Sequence, residues 1–406
     1  MKKYCKNAVL TFEKSNKRVQ LGILSYFYVP FLKQLVKYLL LCLPLLGFSQ
    51  KKLTGSSDYY IKVAPTYGFI LEHRSTIGHL VKGYIPGLEV DFVKPTRGNK
   101  KWHHENNFPD IGIAFNFIDF ANPKQLGYCY AVSPFIEWPL NKKVKASRLV
   151  MRLNWGVSYL TKRFDIERDH KNIAIGSHWN TYFQMKWFWH LNINERLRVE
   201  PGLSFAHASN GRSQVPNLGL NVISFNLGVN FKIRNNTPSV PLEDSTSVWP
   251  SKHELLVWNA CGFNEHEPPT GPKYFANSFG VNYYYNVRNT HKWGFGSDVF
   301  YESQNKYHME QSGITVNGWT DMLQLGVKAC YAYNVGRISF PIEMGYYALS
   351  KSKEDGPIYH RIGIRHYCKN GLMLNFTMKS HWAVAAHFDY GIGYRFSIKK
   401  KKVNEI

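Results

Sequence analysis

Apolar and polar residues alternate along most of the chain after residue 57. The pattern is clearest in 382–396, where Trp382, Phe388 and Phe396 lie on an apolar face that opposes His387 and Asp389. A period of two predicts β-strands. The alternating segments run for about ten residues or more, longer than the usual five or six and long enough to cross a bilayer. The pattern therefore predicts an all-β chain that forms an antiparallel transmembrane barrel, with a soluble β-sandwich as the alternative.

The alternation predicts about sixteen strands, at 58–71, 83–94, 111–119, 127–137, 146–160, 178–191, 197–209, 219–233, 253–263, 274–286, 292–301, 320–333, 337–348, 358–367, 371–380 and 382–396. With a periplasmic N-terminus, the connections after even-numbered strands should be short. The connections 192–196, 334–336 and 368–371 obey this expectation, whereas 94–110 and 233–251 do not.

A stretch rich in Pro, Ser and Thr, residues 234–252, divides the strands into two halves, 51–233 and 253–396, and a basic tail (397–406) follows. Two architectures are open: one barrel of about 14–16 strands, or an eight-stranded barrel followed by a second β module. The single barrel is the favoured hypothesis, because open sheet edges cannot face lipid.

The N-terminus predicts a targeting segment. In residues 33–50, Lys33 and Lys37 precede a short apolar run from Leu39 to Phe48, as in a signal peptide. A retained anchor helix is the alternative. A second apolar stretch upstream indicates that residues 1–32 are an over-extended start, so that residues 1–50 as a whole form the predicted leader.

The net charge of +23 raises the possibility of nucleic-acid binding. Many of the cations, however, alternate with apolar side chains and should line a barrel lumen rather than form a surface stripe. We therefore predict no nucleic-acid partner. The lumen set comprises Arg148, Arg152, Lys328, Arg361, Arg365, Lys379 and Arg395.

Catalytic chemistry is indicated at the end of the seventh strand. Leu203, Phe205, His207 and Ser209 share one face, so an imidazole lies beside a hydroxyl and can act as its general base. Asn221, at the start of the next strand, should lie opposite and orient the imidazole. The backbone amides of Asn210 and Gly211 are candidates for an oxyanion hole. A His-x-Ser pattern alone is weak evidence for catalysis. The alternative interpretation is that these are ordinary polar residues at the membrane interface.

The residues His207-Ala-Ser209-Asn210-Gly211, followed by Pro216-Asn217-x-Gly219-x-Asn221, resemble the outer-membrane lipid A deacylases, also called acyloxyacyl hydrolases. Gly176-Ser177-His178 is similar to an extended branch of that family. The resemblance covers about 176–233. It implies an eight-stranded outer-membrane barrel in a Gram-negative bacterium that removes an ester-linked acyl chain from lipid A, without a metal or an organic cofactor. His207 would be the base and Ser209 the nucleophile, with His178 and Arg212 as possible accessory residues.

The sequence departs from the family pattern in two ways. Asn221 stands where the family has an acidic residue, and a carboxylate from Asp165, Glu167 or Asp169 is an alternative third member. Residues 253–406 have no counterpart in the minimal eight-stranded enzyme. A non-enzymatic barrel, either a channel or a structural protein, therefore remains the alternative function.

Lipid A or lipopolysaccharide is the expected partner. Lys162, Arg163 and Arg212 are candidates to hold its phosphates, although solvated loop cations are an equally good interpretation. The oligomeric state and the identity of the acyl chain stay open.

Overall fold

The computed structural model describes residues 59–141, 147–233, 251–266, 268–382 and 384–398. The predicted leader and most of the predicted linker lie outside these residues, as does the tail beyond residue 398. The first eight strands are β1 (Tyr60–Ile70), β2 (Ile85–Pro95), β3 (Asp110–Asp119), β4 (Tyr128–Pro139), β5 (Ser147–Leu160), β6 (Trp179–Asn192), β7 (Leu197–Ser209) and β8 (Leu220–Lys232). The second eight are β9 (His253–Glu265), β10 (Lys273–Arg288), β11 (His291–Glu302), β12 (Leu323–Val335), β13 (Ile338–Leu349), β14 (Ile358–Tyr367), β15 (Leu372–His381) and β16 (Val384–Ile398).

Helix α1 (Lys101–Glu105) lies between β2 and β3, and helix α2 (Gln304–Gln311) lies between β11 and β12. Short 3-10 helices occupy Ser75–Leu80 and Trp319–Met322. Within the described residues, no helix is both long and apolar enough to cross a membrane.

The strands form two closed antiparallel barrels, β1–β8 and β9–β16, named here the first and the second barrel. Pairing of β1 with β8 closes the first, for example at Ile61 and Phe231, and pairing of β16 with β9 closes the second. The all-β barrel class and the sixteen strands are confirmed. The preference for a single barrel is wrong, and the alternative of an eight-stranded barrel plus a second module is right. Each half closes on itself and pairs its own edge strands. The requirement that no open sheet edge faces lipid is therefore met in each barrel separately.

Large apolar side chains are exposed on the outer faces of both barrels, as a lipid-facing wall requires. They belong to many strands and include Phe92, Ile113, Val132, Leu203 and Phe225 of the first barrel and Phe295, Val327, Ile342, Leu374 and Ile392 of the second. The outward stripe predicted for β7 is among them.

A buried ionic network fills the lumen of the first barrel. Arg152 reaches Asp91 at 2.6 Å and Glu89 at 3.1 Å, and Lys186 reaches Glu89 at 2.6 Å. Lys62 contacts Glu200 at 2.9 Å. All of these side chains are buried. Each cation faces carboxylates because an unpaired charge in this interior would be strongly destabilising.

The second barrel is filled in the same manner. Arg361 contacts Asp298 at 3.0 Å and Asp389 at 3.1 Å, and Lys328 contacts Asp298 at 2.7 Å. Arg365 reaches Glu343 at 2.7 Å. The predicted position of these cations inside the barrel is confirmed, and Arg148 differs from the others only in being half-buried. Buried ion pairs thus occupy the lumen of both barrels.

Odd-numbered strands run toward the same end of the molecule in both barrels. We define the upper end as the end at which β7 finishes with Ser209, and the lower end as the end at which β1 begins with Tyr60. The connections β1–β2, β5–β6 and β7–β8 lie at the upper end, as do β9–β10 and β11–β12. The exceptional connection 94–110 lies at the lower end and contains α1, which packs between the barrels. There the Asn106 side-chain oxygen accepts hydrogen bonds from Trp138 (3.4 Å) and from Tyr333 of the second barrel (2.7 Å).

The barrels lie side by side and contact each other along their outer faces. At the lower end, Ile136 and Trp138 form a buried cluster with Val335, and Phe340 packs against it. Higher in the wall, the rings of Trp155 and Phe376 lie 5.7 Å apart. At the upper end, Phe388 of β16 lies against Gly211. These apolar residues would face lipid in an isolated barrel, and here they are covered by the other barrel.

Candidate active site

Strand β7 places His207 and Ser209 on its outward face, because residues two apart on a strand point the same way. Ala206 and Ala208, on the opposite face, are buried in the first barrel. Strand β8 pairs with β7 so that Asn221 lies directly opposite His207. Directly paired residues have Cβ atoms about 5 Å apart, within hydrogen-bonding reach of their side chains. Strand register alone therefore brings the three polar residues together.

The three side chains form a continuous hydrogen-bonded chain. His207 Nε2 lies 2.9 Å from Ser209 Oγ, and His207 Nδ1 lies 2.6 Å from Asn221 Oδ1. An amide oxygen can only accept, so the proton resides on Nδ1 and Nε2 keeps its lone pair. The serine hydroxyl therefore donates to Nε2, which is the arrangement in which imidazole can remove its proton.

Gly219 supports the far side of the imidazole. A Cβ atom at this position would lie 2.7 Å from His207 Cε1, and the residue has a φ of +78°. Both the close approach and the left-handed backbone require glycine. The Gly219 amide is held by a hydrogen bond of 2.9 Å to the carbonyl of Ala174. The imidazole is thus confined between the serine, the asparagine and a backbone wall.

Asn210 organises the β7–β8 connection (residues 210–219), which we name the site loop. Its backbone N–H donates to Asn217 Oδ1 at 3.1 Å, and its side-chain amide donates to Ser177 Oγ at 2.9 Å and Gln214 O at 2.8 Å. The backbone N–H proposed for an oxyanion hole therefore already has an acceptor. Of the two predicted donors, the Gly211 N–H is the one that has no acceptor among the described residues.

The second barrel holds the site loop at three consecutive residues. Gly211, with a φ of +62°, lies so close to Phe388 that a Cβ would approach its ring to 2.2 Å. The carbonyl of Arg212 accepts from the Glu265 N–H at 2.9 Å. The carbonyl of Ser213 accepts from Lys273 Nζ at 2.6 Å.

Arg212 also makes a side-chain contact with the second barrel. Its Nη2 donates to His266 Nδ1 at 2.8 Å, and His266 Nε2 donates to Gln304 Oε1 at 2.5 Å. Burial, reinforced by the Arg212 guanidinium, lowers the pKa of His266 to about 4. The ring is therefore neutral at physiological pH and can accept the arginine proton.

The remaining predicted residues lie around this centre. His178 Nδ1 donates a hydrogen bond to the Leu160 carbonyl (2.7 Å), and the ring stacks on Tyr159; no hydrogen bond within the described residues joins His178 to His207. Its neighbour Ser177 is the residue that reaches the site loop. Lys162 and Arg163 belong to the β5–β6 connection at the same end.

The alternative carboxylates are not brought to the imidazole. The Asp165 side chain accepts hydrogen bonds from the backbone N–H groups of Glu167 and Arg168, which lowers its pKa. The backbone of Asp165 pairs with that of Asp169 in the same loop. Asn221 already occupies His207 Nδ1.

Among the described residues no group of three His, Cys, Asp or Glu side chains is placed to hold a metal ion.

Sequence reasoning missed the contributions of the second barrel, namely Phe388, His266 and Lys273. They lie 45 residues or more beyond Asn221, the last residue of the motif, and no local pattern marks them. Ser177 and Asn217, by contrast, stand inside the residues that carried the family resemblance, and their role as partners of Asn210 could have been suspected.

Comparison with known proteins yields two family-model matches. The model described as Lipid A 3-O-deacylase (PagL) matches residues 87–230, and the model described as Acyloxyacyl hydrolase, C-terminal domain, matches residues 253–400. Each match falls on one barrel. No curated protein matches the chain.

Solved outer-membrane barrels show only weak similarity. The crystal structure of Neisserial surface protein A is 8% identical and covers 44% of this chain and 99% of its own, with a TM-score of 0.31. A triple mutant of the Rhodopseudomonas blastica porin is 9% identical and covers 84% of this chain and 99% of its own, with a TM-score of 0.16. These scores are too low to support a conclusion about this chain.

Proposed function

Because the chain belongs to the lipid A deacylase (acyloxyacyl hydrolase) family of the Gram-negative outer membrane, we propose that it is a serine esterase that removes the 3-linked acyl chain of lipid A. The observation that carries the proposal is the His207–Ser209–Asn221 chain on the outward face of the first barrel. That face is turned toward the membrane, from which the substrate would arrive sideways; His207 and Asn221 are partly exposed there, and Ser209 is 6% exposed. The position of the ester is taken from the name of the family model that matches the first barrel.

The hydrogen bonds of the three side chains support the following reaction. Ser209 Oγ attacks the acyl carbonyl while its proton passes to His207 Nε2. The tetrahedral intermediate collapses, the C–O bond to the sugar breaks, and His207 returns the proton to the leaving sugar oxygen. Water, deprotonated by the same imidazole, then hydrolyses the acyl-serine and releases the fatty acid. The Gly211 N–H is the donor that we assign to the developing oxyanion.

Asn221 performs part of the role of an acidic triad member. Its oxygen holds the proton on Nδ1 and so selects the reactive tautomer of His207. It does not stabilise the imidazolium as a carboxylate would, although Cys-His-Asn triads show that an amide can serve.

Basic residues suit the proposed substrate. Lys162 and Arg163 stand at the upper end, on the loop next to the triad, where lipid A phosphates would lie. The packed lumens, with Arg152 and Arg361 buried among carboxylates, favour an enzyme over the channel alternative.

The decisive experiment compares lipid A from cells that express the wild type and Ser209→Ala. We expect loss of one acyl chain with the wild type and a rate reduced on the order of 10³-fold or more with the variant, since the nucleophile is removed. Mass spectrometry of extracted lipid A measures both. Ser297→Ala, which removes an outward-facing hydroxyl from β11 of the second barrel, is the matched control. Identical lipid A with and without Ser209 would refute the proposal.

A further inference from the structure

A deep crevice separates the two barrels at the lower end, away from the triad. It has a volume of about 1090 Å³, slightly above the ~300–1,000 Å³ that is usual for small-molecule sites. One wall is formed by outward side chains of the first barrel and the other by outward side chains of the second. The residues that define the two walls are Ile113, Leu153 and Trp155, and Ile338, Phe340 and Ile364.

The walls are apolar and their spacing is fixed by direct contacts on two sides. Trp155, which lines the crevice, touches Phe376 of the second barrel, with the ring centroids 5.7 Å apart. Below, the cluster of Ile136, Trp138 and Val335 joins the barrels. The barrels therefore hold the crevice open at a set width, and a flexible hydrocarbon chain suits such a space better than water does.

Basic residues surround the mouth of the crevice: Lys94, Lys100, Lys101, Arg337 and Lys369. Lys94 and Arg337 come from different barrels, so the basic mouth exists only when the barrels are joined. The side chains of Lys100, Arg337 and Lys369 make no hydrogen bond or ion pair with the described residues. The carboxylate that also lines the mouth, Glu105, accepts a hydrogen bond from Asn289 of the second barrel.

Like charges gathered at one mouth repel each other unless an anion joins them. In the lumens, each group of cations faces carboxylates of the chain itself. The crevice mouth has one carboxylate, Glu105, beside five cations, so its positive charge complements a phosphate-bearing headgroup.

We propose that the crevice binds an anionic glycerophospholipid of the leaflet at the lower end, with an acyl chain between the barrels and its phosphate among Lys100, Arg337 and Lys369. The identification of that leaflet as the periplasmic one rests on the proposed function, which places the triad in the outer leaflet. The bound lipid is distinct from the substrate, because the two lie at opposite ends of the barrels. It would fill the apolar gap and neutralise the mouth, and so stabilise the association of the barrels.

The test uses the full chain in phosphatidylcholine nanodiscs, with dioleoylphosphatidylglycerol added as the probe. Native mass spectrometry gives the lipid bound per chain, and a parallel titration uses additional phosphatidylcholine. We expect one tightly held phosphatidylglycerol in the wild type. The triple variant Lys100→Glu, Arg337→Glu, Lys369→Glu should bind it on the order of 100-fold more weakly, since each basic residue near an anionic headgroup contributes about fivefold.

The control variant reverses three exposed cations outside the crevice, Arg196→Glu, Lys252→Glu and Lys353→Glu, and should bind as the wild type does. If the charge-reversed triple variant fails to fold, the milder Lys100→Gln, Arg337→Gln, Lys369→Gln variant replaces it. Equal loss of lipid from both triple variants would overturn the proposal, as would equal binding of phosphatidylcholine or a preference for lipid A.

Failure of the lipid site and failure of the esterase are distinguishable. Ser209→Ala should lose deacylation and keep phosphatidylglycerol, whereas the charge-reversed triple variant should lose the lipid while its triad stays intact.

Discussion

Asn221 shows how a single amide sets the protonation pattern of the candidate site. Its oxygen lies 2.6 Å from His207 Nδ1 and can only accept, so the imidazole presents an unprotonated Nε2 to Ser209. The asparagine is itself placed by its pairing with His207 across β7 and β8. Orientation and tautomer are therefore both supplied by the position directly across the hairpin.

Replacing Asn221 should separate orientation from charge. Asn221→Leu removes the acceptor, and we expect the deacylation rate to fall by about 10²–10⁴-fold, because the imidazole loses its preferred tautomer. Asn221→Asp keeps an acceptor and adds the negative charge of an acidic triad member, so its turnover should stay within about tenfold of the wild type. Rates on purified lipid A in detergent give the measurement. Full activity in Asn221→Leu would show that the amide has no role.

Gly219 offers a second test at the scale of one residue. Gly219→Ala would place a methyl group 2.7 Å from His207 Cε1, so the ring must move away from Ser209, and we expect kcat to fall by about tenfold or more. Gly356→Ala is the matched control: its φ is +73°, but a Cβ there meets nothing within 4 Å. Both variants carry the backbone strain of a left-handed alanine, and only one touches the imidazole. Equal activities would contradict the packing argument.

At the scale of elements, the site loop belongs to the first barrel but is held by the second. Three consecutive residues, Gly211 to Ser213, contact β16, β9 and β10 through a ring, a backbone N–H and an ammonium group. The loop contains the Gly211 amide that we assign to the oxyanion. We therefore expect the second barrel to contribute to the site by positioning this loop.

Phe388→Ala should test this positioning role. Removal of the ring leaves space beside Gly211, so we expect kcat to fall about tenfold with little change in KM, because the oxyanion donor is less well fixed. Phe396→Ala removes the same ring from the same face of β16, where the side chain is 48% exposed to the membrane, and serves as control. Steady-state kinetics on lipid A compares the two. A wild-type kcat in Phe388→Ala would show that this contact of the second barrel does not position the active site.

At the scale of the molecule, two closed barrels form one unit through contacts at both ends. The upper contact joins Arg212 to His266, and the lower one joins Trp138 to Val335 and Tyr333. Each barrel has its own ionic interior and its own complete set of strand pairs. The side faces, rather than the covalent connection, should therefore hold the pair together.

Cutting the connection between the barrels tests that expectation. A protease site inserted between Val240 and Pro241 would allow cleavage after assembly in the membrane. We expect the two fragments to co-purify in mild detergent and to retain most of the deacylase activity, since the interface contacts remain. Native electrophoresis and lipid A analysis measure the two properties. Separation of the fragments with the site otherwise intact would show that the covalent connection is needed.

Much of the fold could be predicted because strand periodicity is a local property. A residue that faces the lumen, such as Ser204, and one that faces lipid, such as Leu203, alternate along a strand, so strand positions and facing directions follow from the pattern. The triad followed from the same rule, since His207 and Ser209 are two apart and Asn221 starts the neighbouring strand. The hydrogen bonds of Asn210 to Asn217 and Ser177 could not be predicted, because they depend on how the loop folds.

The sequence by itself determined the β-strands, the outward stripe of β7 and the three polar residues that meet on it. Only the tertiary structure decided that there are two barrels, since either closure satisfies every backbone hydrogen bond and the choice depends on the long-range pairing of β1 with β8 and of β9 with β16. It also decided that Phe388 and His266 hold the site loop, and that a crevice with a basic mouth lies between the barrels. These features arise where distant segments meet, and alternation along one strand does not encode which surface another strand will touch.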